Sequence, residues 1–492
     1  MDCILKFAMI LMLLVLSNAA FIKHNISHCE KIAKTWASRS VEQVREDRHT
    51  LRDLLFFLHV PRTGGRTYFH CFLKQLYSNS QECPRSYDKL RFDPSKQKCR
   101  LLVTHDDYSM MSKLPKERTS VVTILRNPVD RVLSTYEFSI EVASRFLVHP
   151  NLTSATKMAG RLRSKSHGVS TLDIWPWKYL VPWMRQDLFA RRDARKHGGS
   201  NDIKSDNPYD MEEIVKPLHE YINDPIVRDI VHNGATFQVA GLTNNSYFEE
   251  SHEVRHCVEK YKILGKYVLE VAKRRLDDML YVGLTEDHKE SATMFANVVG
   301  AQVISQALES NSTFELPADI KPEQDSQISD SENDRDNPQT ANQKSDENAS
   351  IEDAEGKKEN ITVEKLMDAY EDCISTLRKT QTRRRKSSLQ RIAPANFSKA
   401  DRLKISEDVV EQIRLFNNLD LELYKYAQDI FARQHNHTVQ NFPSRGWLKN
   451  IFIISDGITL WRILALGMSI VLVLILYFVT LGSRKRTSKV KV

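Results

Sequence analysis

The chain has 492 residues, 41% of them hydrophobic and 27% charged, which is enough to bury a large core in one α/β unit or several domains. Its formal net charge is +8, but residues 321–360 hold 12 acidic against 5 basic side chains, so the remainder of the chain carries +15. A basic body attracts anions. Because the secretory signals described next argue against nucleic acid, the expected anions are nucleotide-type donors, acidic glycans and acidic peptides.

The two ends of the chain carry the signals of a secretory membrane protein. Residues 1–20 combine a lysine, a short apolar run and small residues, which predicts a cleaved signal peptide rather than a retained anchor. Residues 463–482 contain no formal charge and are long enough to span a bilayer. The basic residues 483–492 place the tail in the cytosol by the positive-inside rule. We therefore expect a single-pass type I membrane protein with a lumenal body.

The body carries glycosylation and cysteine signals that fit an oxidising compartment. Asn-x-Ser/Thr sequons begin at eight asparagines: Asn25, Asn151, Asn244, Asn311, Asn348, Asn360, Asn396 and Asn436. Six cysteines remain after removal of the signal, and Cys83 and Cys99 are close enough in sequence to close one surface loop, although the spacing leaves the full pairing open. No cysteines have the spacing of a zinc site, so no metal is expected.

Residues 51–145 alternate apolar strands with helical patterns, which is typical of an α/β fold with a parallel sheet. The predicted strands are Leu54–Val60, Leu101–Thr104 and Val121–Leu125. A helix after the first strand is predicted from the spacing of Phe69, Phe72, Leu73 and Leu76. A second helix, predicted to begin at Pro128, has a buried stripe that comprises Val129, Val132, Leu133, Tyr136 and Ile140. The pattern of strand, loop and helix therefore occurs twice.

The rest of the chain changes character several times. Residues 226–300 are predicted to be mainly helical, whereas residues 306–390 are predicted to form an acidic, glycosylated and mostly disordered insert. Within it, the basic run at 383–386 is interpreted as a turn rather than a processing site. The predicted boundaries are a signal peptide at 1–20, an N-terminal lumenal segment at 21–50, a main domain at 51–305, the insert at 306–390, the C-terminal part of the domain at 391–436, a stalk at 437–460, a transmembrane helix at 461–482 and a tail at 483–492.

The loop "PRTGGRT", residues 61–67, has the features of a phosphate-type anion site. A glycine turn that opens a helix aims backbone N–H groups and the positive end of the helix dipole at one point. The glycines permit close backbone approach, while the arginines add charge and the threonines add hydroxyl donors. The loop lacks the Gly-Lys-Ser/Thr ending of the kinase-like P-loop. The candidate ligands are Arg62, Thr63, Gly64, Gly65, Arg66 and Thr67, and the alternative is an ordinary strand-to-helix turn.

The second unit suggests a second anion site. In "LRNPVDRVLS", Arg126 ends a strand and Ser134 follows within the next helix. Two anion sites in one fold suit a ligand with two separated phosphate-type groups. The alternative is that Arg126 is a surface charge and Ser134 an ordinary helix residue.

Five motifs carry a family resemblance, in the order "HVPRTGGRT", "THDD", "LRNPVDRVLS", "VGLTE" and "LDLELYKYAQDIFARQ". They resemble the Golgi heparan-sulfate 6-O-sulfotransferase family, and the whole chain with its C-terminal anchor resembles the plant tyrosylprotein sulfotransferases. The match covers residues 54–300 and 390–434. The resemblance implies a P-loop-like sulfotransferase fold, a central parallel sheet flanked by helices, in the Golgi lumen. It also implies 3′-phosphoadenosine 5′-phosphosulfate (PAPS) as co-substrate.

The same resemblance implies roles for the candidate ligands. Residues 61–67 would wrap the 5′-phosphosulfate, with Arg62 at the usual lysine position of the family, and Arg126 and Ser134 would hold the 3′-phosphate. Arginine carries charge as well as lysine does but is a poor proton donor, which puts protonation of the leaving group by Arg62 in doubt. Residues 391–400 resemble the segment that closes over the nucleotide, with Ser398 and Lys399 as further candidate ligands. The acidic insert would then leave and re-enter one domain.

His105 is the candidate general base. Sulfuryl transfer requires the acceptor oxygen, the sulfur and the leaving oxygen in line, and a group that takes the acceptor proton. His105 follows an apolar strand, where α/β sheets collect their active-site residues, and coincides with the catalytic histidine of the resembling glycan enzymes. A base of pKa ~6.5 is useful for either a phenol of pKa ~10 or a sugar hydroxyl, whose pKa is far higher. Asp106 and Asp107 are the alternatives, as a base or as the group that orients the imidazole.

Three hypotheses about the acceptor remain open. We favour tyrosine in acidic motifs of secreted peptide precursors, because the C-terminal anchor resembles that of the plant tyrosine enzymes. The alternatives are a heparan-type glycan and a nucleotide-binding lumenal protein without turnover. The residues proposed to guide and pack an acidic peptide are Arg185, Arg191, Arg192, Arg195, Lys196, Trp175, Trp177 and Trp183. A solvated helix face and a hydrophobic core are the alternative interpretations of these two groups.

Overall fold

The computed structural model describes residues 25–40, 47–84, 89–90, 92–162, 175–184, 187–198, 207–210, 215–309, 361–389 and 397–441. The chain divides into two compact units, Met1–His435 and Asn436–Val492, and residues 436–441 of the second are described. The predicted signal peptide, transmembrane helix, tail and residues 310–360 of the insert lie outside these ranges. Within the described ranges, no helix is long and apolar enough to cross a bilayer.

Four parallel strands form one sheet in the order β2–β1–β3–β4. The strands are β1 (Leu54–Leu58), β2 (Leu101–Thr104), β3 (Thr119–Leu125) and β4 (Tyr281–Leu284). Every residue of β1, β3 and β4 is buried, as expected of a parallel sheet that is covered on both faces. The three predicted strands and the α/β class are confirmed. The fourth strand was not predicted, since its four residues are too short to show a period.

Helices follow the strands and cover the sheet. Helix α1 covers residues 25–40. Helix α2 begins as Gly65–Tyr68 and continues through a π turn, Phe69–Leu73, into Lys74–Leu76. The others are α3 (Pro128–Phe146), α4 (Leu152–Leu162), α5 (Leu188–Gly198), α6 (Leu218–Tyr221), α7 (Arg228–Val231), α8 (Gly234–Val239), α9 (Ser251–Lys260), α10 (Gly265–Asp277), α11 (His288–Phe295, then a π turn Ala296–Gly300 and Ala301–Glu309), α12 (Val363–Leu389), α13 (Lys399–Arg402), α14 (Glu407–Phe416) and α15 (Asn418–Asn441).

Helix α3 begins at Pro128, where the sequence predicted it. The Asn127 side chain accepts hydrogen bonds from the backbone N–H groups of Val129 and Asp130, at 3.0 and 3.4 Å. Proline has no N–H to satisfy at the first helical position. The predicted stripe of α3 packs in the protein interior, with Tyr136 and Ile140 fully buried.

The structure corrects the predicted insert at its C-terminal part. Residues 363–389 form the 27-residue helix α12, and the basic run at 383–386 lies within it, so the prediction of a turn there is wrong. Its apolar stripe is buried and comprises Leu366, Met367, Tyr370, Ile374 and Leu377. The Tyr370 ring stacks on Phe72 of α2 with centroids 4.1 Å apart. The composition wrongly indicated disorder here, because the exposed polar residues of α12 outnumber the apolar residues that pack in the core.

Three disulfides cross the fold. They join Cys29 to Cys257, Cys71 to Cys373 and Cys83 to Cys99, and the last is the pair that the sequence suggested. The Cys71–Cys373 bond links α2 to α12 across 302 positions of sequence. Because that bond encloses the acidic segment, the segment is an excursion from one body and not a boundary between two.

Candidate active site

The carboxyl ends of β1, β2 and β3 meet at one edge of the sheet, where a cavity of about 570 Å³ opens. It lies between the β1–α2 loop, the end of β2 and helices α3 and α12. Seven of the predicted site residues line it, namely Arg62, Gly64, Gly65, Arg66, Thr67, His105 and Arg126. The fold therefore brings the first loop, the second arginine and the candidate base together.

The β1–α2 loop takes an unusual backbone path. Arg62 and Gly64 have φ of 67° and 86°, in the left-handed region that glycine tolerates best. Gly64 is the N-cap of α2, and no side chain caps the first turn. The Thr63 hydroxyl is buried and donates to the Val60 carbonyl at 2.9 Å, so it holds the loop and does not line the cavity. Backbone N–H groups and the side chains of the flanking residues are what this loop presents to an anion.

Gly65 has no room for a side chain. A Cβ atom built there would lie 2.4 Å from Cδ2 and 2.5 Å from Nε2 of His59. His59 directly follows β1 and lines the same cavity, and sequence reasoning did not single it out. The sequence feature that could have identified His59 is its position directly after a strand and next to the glycine loop.

The two predicted anion sites are joined through Arg62. Its guanidinium donates to Ser134 Oγ from Nε and Nη2, at 3.2 and 3.0 Å, and lies 4.4 Å from the Phe138 ring centroid. Arg126 Nη1 donates to the Arg62 carbonyl at 3.2 Å. Burial lowers the pKa of Arg62 to about 10, so the group remains cationic at neutral pH. Ser134 reaches the site through Arg62 and is not itself part of the cavity lining.

His105 is held by backbone groups in one tautomer. Its Nδ1 lies 2.9 Å from the His59 carbonyl, and because a carbonyl only accepts, Nδ1 carries the proton and Nε2 is the basic nitrogen. Gln238 Nε2 donates to the carbonyls of His105 and His59, at 2.7 and 3.2 Å. The edge of Trp177 faces the His105 ring at 5.7 Å between centroids. This fixed tautomer is what a general base requires.

The two histidine rings lie 4.1 Å apart. The pKa of His59 falls well below its ordinary value, first because of burial and then because His105, Arg62 and Arg66 are nearby charges. His59 is therefore neutral at physiological pH.

Asp106 and Asp107 support the turn after β2. Asp106 accepts from Thr104 Oγ1 at 2.8 Å and also from the Asn245 amide. Asp107 accepts from Thr243 N and Oγ1 at 2.9 and 2.8 Å, and burial raises its pKa. Each is 1% exposed and neither lines the cavity. Their placement favours His105 over either carboxylate as the base.

Helix α12 forms a wall of the cavity that the sequence analysis missed. The lining residues from it are Arg378, Gln381, Thr382, Arg384 and Arg385. Arg385 also forms an ion pair with Glu137 of α3 at 3.2 Å. The signal available in the sequence was helical spacing between these residues, which the acidic composition of the preceding segment concealed.

Several other sequence candidates have structural roles. Ser398 caps α13 in a capping box with Asp401 and, like Lys399, does not line the cavity. Trp175 and Trp183 are buried in the core around α3, while Trp177 lines the cavity.

In the described part of the basic segment at 185–196, the arginine side chains contact other residues of the protein. Arg191 pairs with Asp187 at 2.6 Å. The Arg192 guanidinium donates to the carbonyls of Leu147, His149 and Pro150, at 3.1, 2.6 and 2.9 Å. Arg185 and the side chains of Arg195 and Lys196 lie outside the described part of the chain.

Comparison with known proteins identifies the family. No family model matches the chain. The chain is, however, 54% identical over 506 aligned positions to the protein-tyrosine sulfotransferase of Arabidopsis thaliana, and the alignment covers 100% of both proteins. The chain belongs to the protein-tyrosine sulfotransferase family. The resemblance to the plant enzymes and the prediction of an enzyme are thereby confirmed.

For a protein-tyrosine sulfotransferase, the chemistry of the cavity is consistent. Sulfotransfer needs a site for a polyanionic sulfuryl donor and a base near the acceptor. The arginines and the uncapped start of α2 supply positive charge and backbone N–H groups, and the His105 imidazole lies in the same cavity. No group of acidic, histidine or cysteine side chains within the described residues is arranged to hold a metal.

Proposed function

We propose that this protein transfers the sulfuryl group of PAPS to tyrosine hydroxyls in acidic motifs of secreted peptides and proteins, with His105 as general base. The observation that carries the proposal is that one cavity is lined by the β1–α2 loop, Arg126 and His105, whose Nδ1 is held by the His59 carbonyl. Its place at the carboxyl edge of a parallel sheet fits the expected P-loop-like sulfotransferase fold.

The donor would be held at two ends. The backbone of residues 61–67, with Arg66 and Thr67, would bind the 5′-phosphosulfate, and Arg126 would bind the 3′-phosphate. Arg62 lies between these groups, since its carbonyl accepts from Arg126 and its guanidinium donates to Ser134. Gly65 supports this assignment, because a close approach to the backbone is possible only where no side chain intervenes.

The reaction is an in-line displacement at sulfur. The tyrosine oxygen forms a bond to sulfur as the bond between sulfur and the phosphate oxygen breaks, and the nucleotide leaves as the 3′,5′-bisphosphate. His105 Nε2 accepts the phenolic proton, and the His59 carbonyl stabilises the resulting imidazolium through Nδ1–H. Arg62 stabilises negative charge on the departing phosphate without giving up its proton, since a pKa of about 10 keeps it charged.

The proposed location is the Golgi lumen, with a single-pass type I anchor at residues 461–482. Three disulfides support an oxidising compartment. The sequon asparagines Asn151, Asn244 and Asn436 are exposed, as glycosylation requires.

The full-length protein in detergent, given radiolabelled PAPS, tests the proposal. Label is expected in a peptide with an Asp-Tyr sequence and not in the same peptide with Tyr→Phe. Label in desulfated heparan alone would replace tyrosine by a glycan as the acceptor. Label in neither acceptor, with nucleotide binding retained, would support the non-catalytic alternative.

A further inference from the structure

We propose that the cavity-facing side of α12 recognises the acidic residues that flank the acceptor tyrosine. The inference rests on the proposed function and concerns how the same site selects its peptide. It assigns to α12 the role of guide for acidic peptides that the sequence suggested for Arg191 and Arg192.

One face of α12 is turned towards the cavity. Arg378, Gln381, Thr382 and Arg385 recur at intervals of three and four residues, so they lie along one side of the helix, and all four line the cavity. The apolar stripe in the N-terminal half of α12 packs in the core. The cavity face is therefore polar and carries only groups that bind through charge or hydrogen bonds.

Helix α12 is attached to its neighbours at two points, one near its middle and one near its C-terminal end. The Cys71–Cys373 disulfide ties α12 to α2, the helix that opens from the anion loop. About one turn before the end of the helix, Arg385 pairs with Glu137 of α3. A rigidly held helix can discriminate between peptides, because its charges are positioned before the peptide arrives.

The cavity contains more positive charge than the proposed donor contacts use. Seven arginines line it, namely Arg62, Arg66, Arg126, Arg145, Arg378, Arg384 and Arg385. Of the four that the donor contacts do not use, Arg145 pairs with Glu141 and Arg385 with Glu137. Within the described ranges, Arg378 and Arg384 have no ion-pair partner. The surplus charge therefore belongs to these two residues of α12.

Exposure separates the two sides of the cavity. The Arg126 side chain is 19% exposed, whereas Arg378 is exposed and Arg384 half-buried on the α12 wall. A nucleotide enclosed by the protein suits the buried side. A peptide that arrives from solvent with carboxylates beside its tyrosine suits the open, basic side. Charge complementarity thus favours an acidic acceptor as the partner of α12.

Arg191 and Arg192 of α5 do not compete for this role, because the fold already uses them. Arg191 is paired with Asp187, and Arg192 binds backbone carbonyls that end α3 and follow it. Arginines committed to internal partners attract an incoming carboxylate less than unpaired ones do.

The test compares Arg378→Glu with Lys379→Glu in the full-length protein. Lys379 is the neighbouring exposed residue of α12 and does not line the cavity, so it provides the same charge change at a matched site. Both variants and the parent receive PAPS with an Asp-Tyr peptide, the Asn-Tyr version and the Lys-Tyr version. Arg378→Glu is expected to raise the KM of the Asp-Tyr peptide about fivefold to tenfold while the KM of PAPS changes less than about twofold.

The charge-swapped peptide gives the sharpest outcome. Arg378→Glu should use the Lys-Tyr peptide better than the parent does, whereas Lys379→Glu should keep the order of preference of the parent. A rise in the KM of PAPS with unchanged peptide preference would overturn the inference and make α12 part of the nucleotide site. Equal effects of the two variants would also overturn the inference, because they would show that peptide selection depends on the overall charge of the protein and not on the cavity-facing residues of α12.

Failure of the proposed function is distinguishable from failure of this inference. If the parent transfers no label to tyrosine in any peptide, the proposed function falls and the inference with it. If the parent sulfates tyrosine and Arg378→Glu leaves the selectivity unchanged, only the role of α12 is overturned.

Discussion

The molecule uses the same motif of strand, loop and helix twice, but the two copies differ at the start of the helix. In the first unit, α2 begins after a glycine turn, with no side-chain cap at Gly64. In the second, Asn127 accepts hydrogen bonds from the first turn of α3, and Pro128 has no N–H to offer. The first unit can bind an anion through its backbone. The second has satisfied its own backbone and contributes side chains instead.

This difference shows that the two predicted anion sites are not built in the same way. The second helix start has an acidic residue, Asp130, in its first turn, and Glu286 lies 3.9 Å from Arg126. Neither feature suits an anion at the helix terminus. We therefore expect Arg126 to contact the donor from the strand end, while the Ser134 hydroxyl accepts hydrogen bonds from the Arg62 guanidinium. The two units line one cavity, and we expect the first to contribute backbone groups and the second side chains.

The largest effect is expected for His105, which lies outside both units. If the two units bind only the donor, His105→Ala should lower kcat by about 10²–10⁴-fold and leave nucleotide affinity unchanged. Sulfation rates at saturating PAPS, with calorimetry of the 3′,5′-bisphosphate, measure the two quantities. His252→Ala is the control, since His252 is exposed on α9. Parental kcat in His105→Ala would remove it from the chemistry.

The backbone character of the first unit is tested by Gly65→Ala. The added methyl collides with His59, so the loop or the imidazole must move, and we expect kcat/KM to fall about tenfold to a hundredfold. His59→Ala removes the obstacle, and the double variant should be no worse than His59→Ala alone. Full additivity of the two losses would show that Gly65 is needed for some reason other than this contact.

The side-chain character of the second unit is tested by Arg126→Ala. Loss of a charge-assisted contact of about 1.5–3 kcal/mol should weaken binding of the 3′,5′-bisphosphate about tenfold to a hundredfold. Adenosine 5′-phosphosulfate, which lacks the 3′-phosphate, should bind parent and variant equally. Equal weakening for both nucleotides would move Arg126 away from the 3′-phosphate.

The smallest effect is expected at Asn127. Its replacement by alanine removes the cap of α3 and should lower the free energy of unfolding by about 1 kcal/mol, measured by urea denaturation. Donor affinity should stay within about twofold, because the cap serves the helix and not the ligand. Asn127→Ser, which can still cap, is the matched control. A large loss of donor affinity in Asn127→Ala alone would contradict the division between the two units.

The sequence was sufficient to predict the features that depend on only a few consecutive residues. The apolar strands, the glycine loop and the Asn-Pro helix start are each decided within a few residues, and all were predicted at the right positions. His59 was missed because its importance depends on what lies beside it, namely Gly65 and His105. The C-terminal part of the predicted insert, residues 363–389, was wrongly assigned as disordered because an averaged composition conceals the buried apolar stripe of α12.

The sequence by itself determined the α/β class and the positions of the two candidate anion-binding motifs and the candidate base, because hydrophobic period and turn chemistry act over short distances. The tertiary structure alone decided that Arg62 joins the two motifs, that a carbonyl selects the tautomer of His105, and that α12 closes the cavity. Those features join residues up to 302 positions apart, through a disulfide and through packing. Contacts between distant segments depend on how the whole chain packs, which no local pattern encodes.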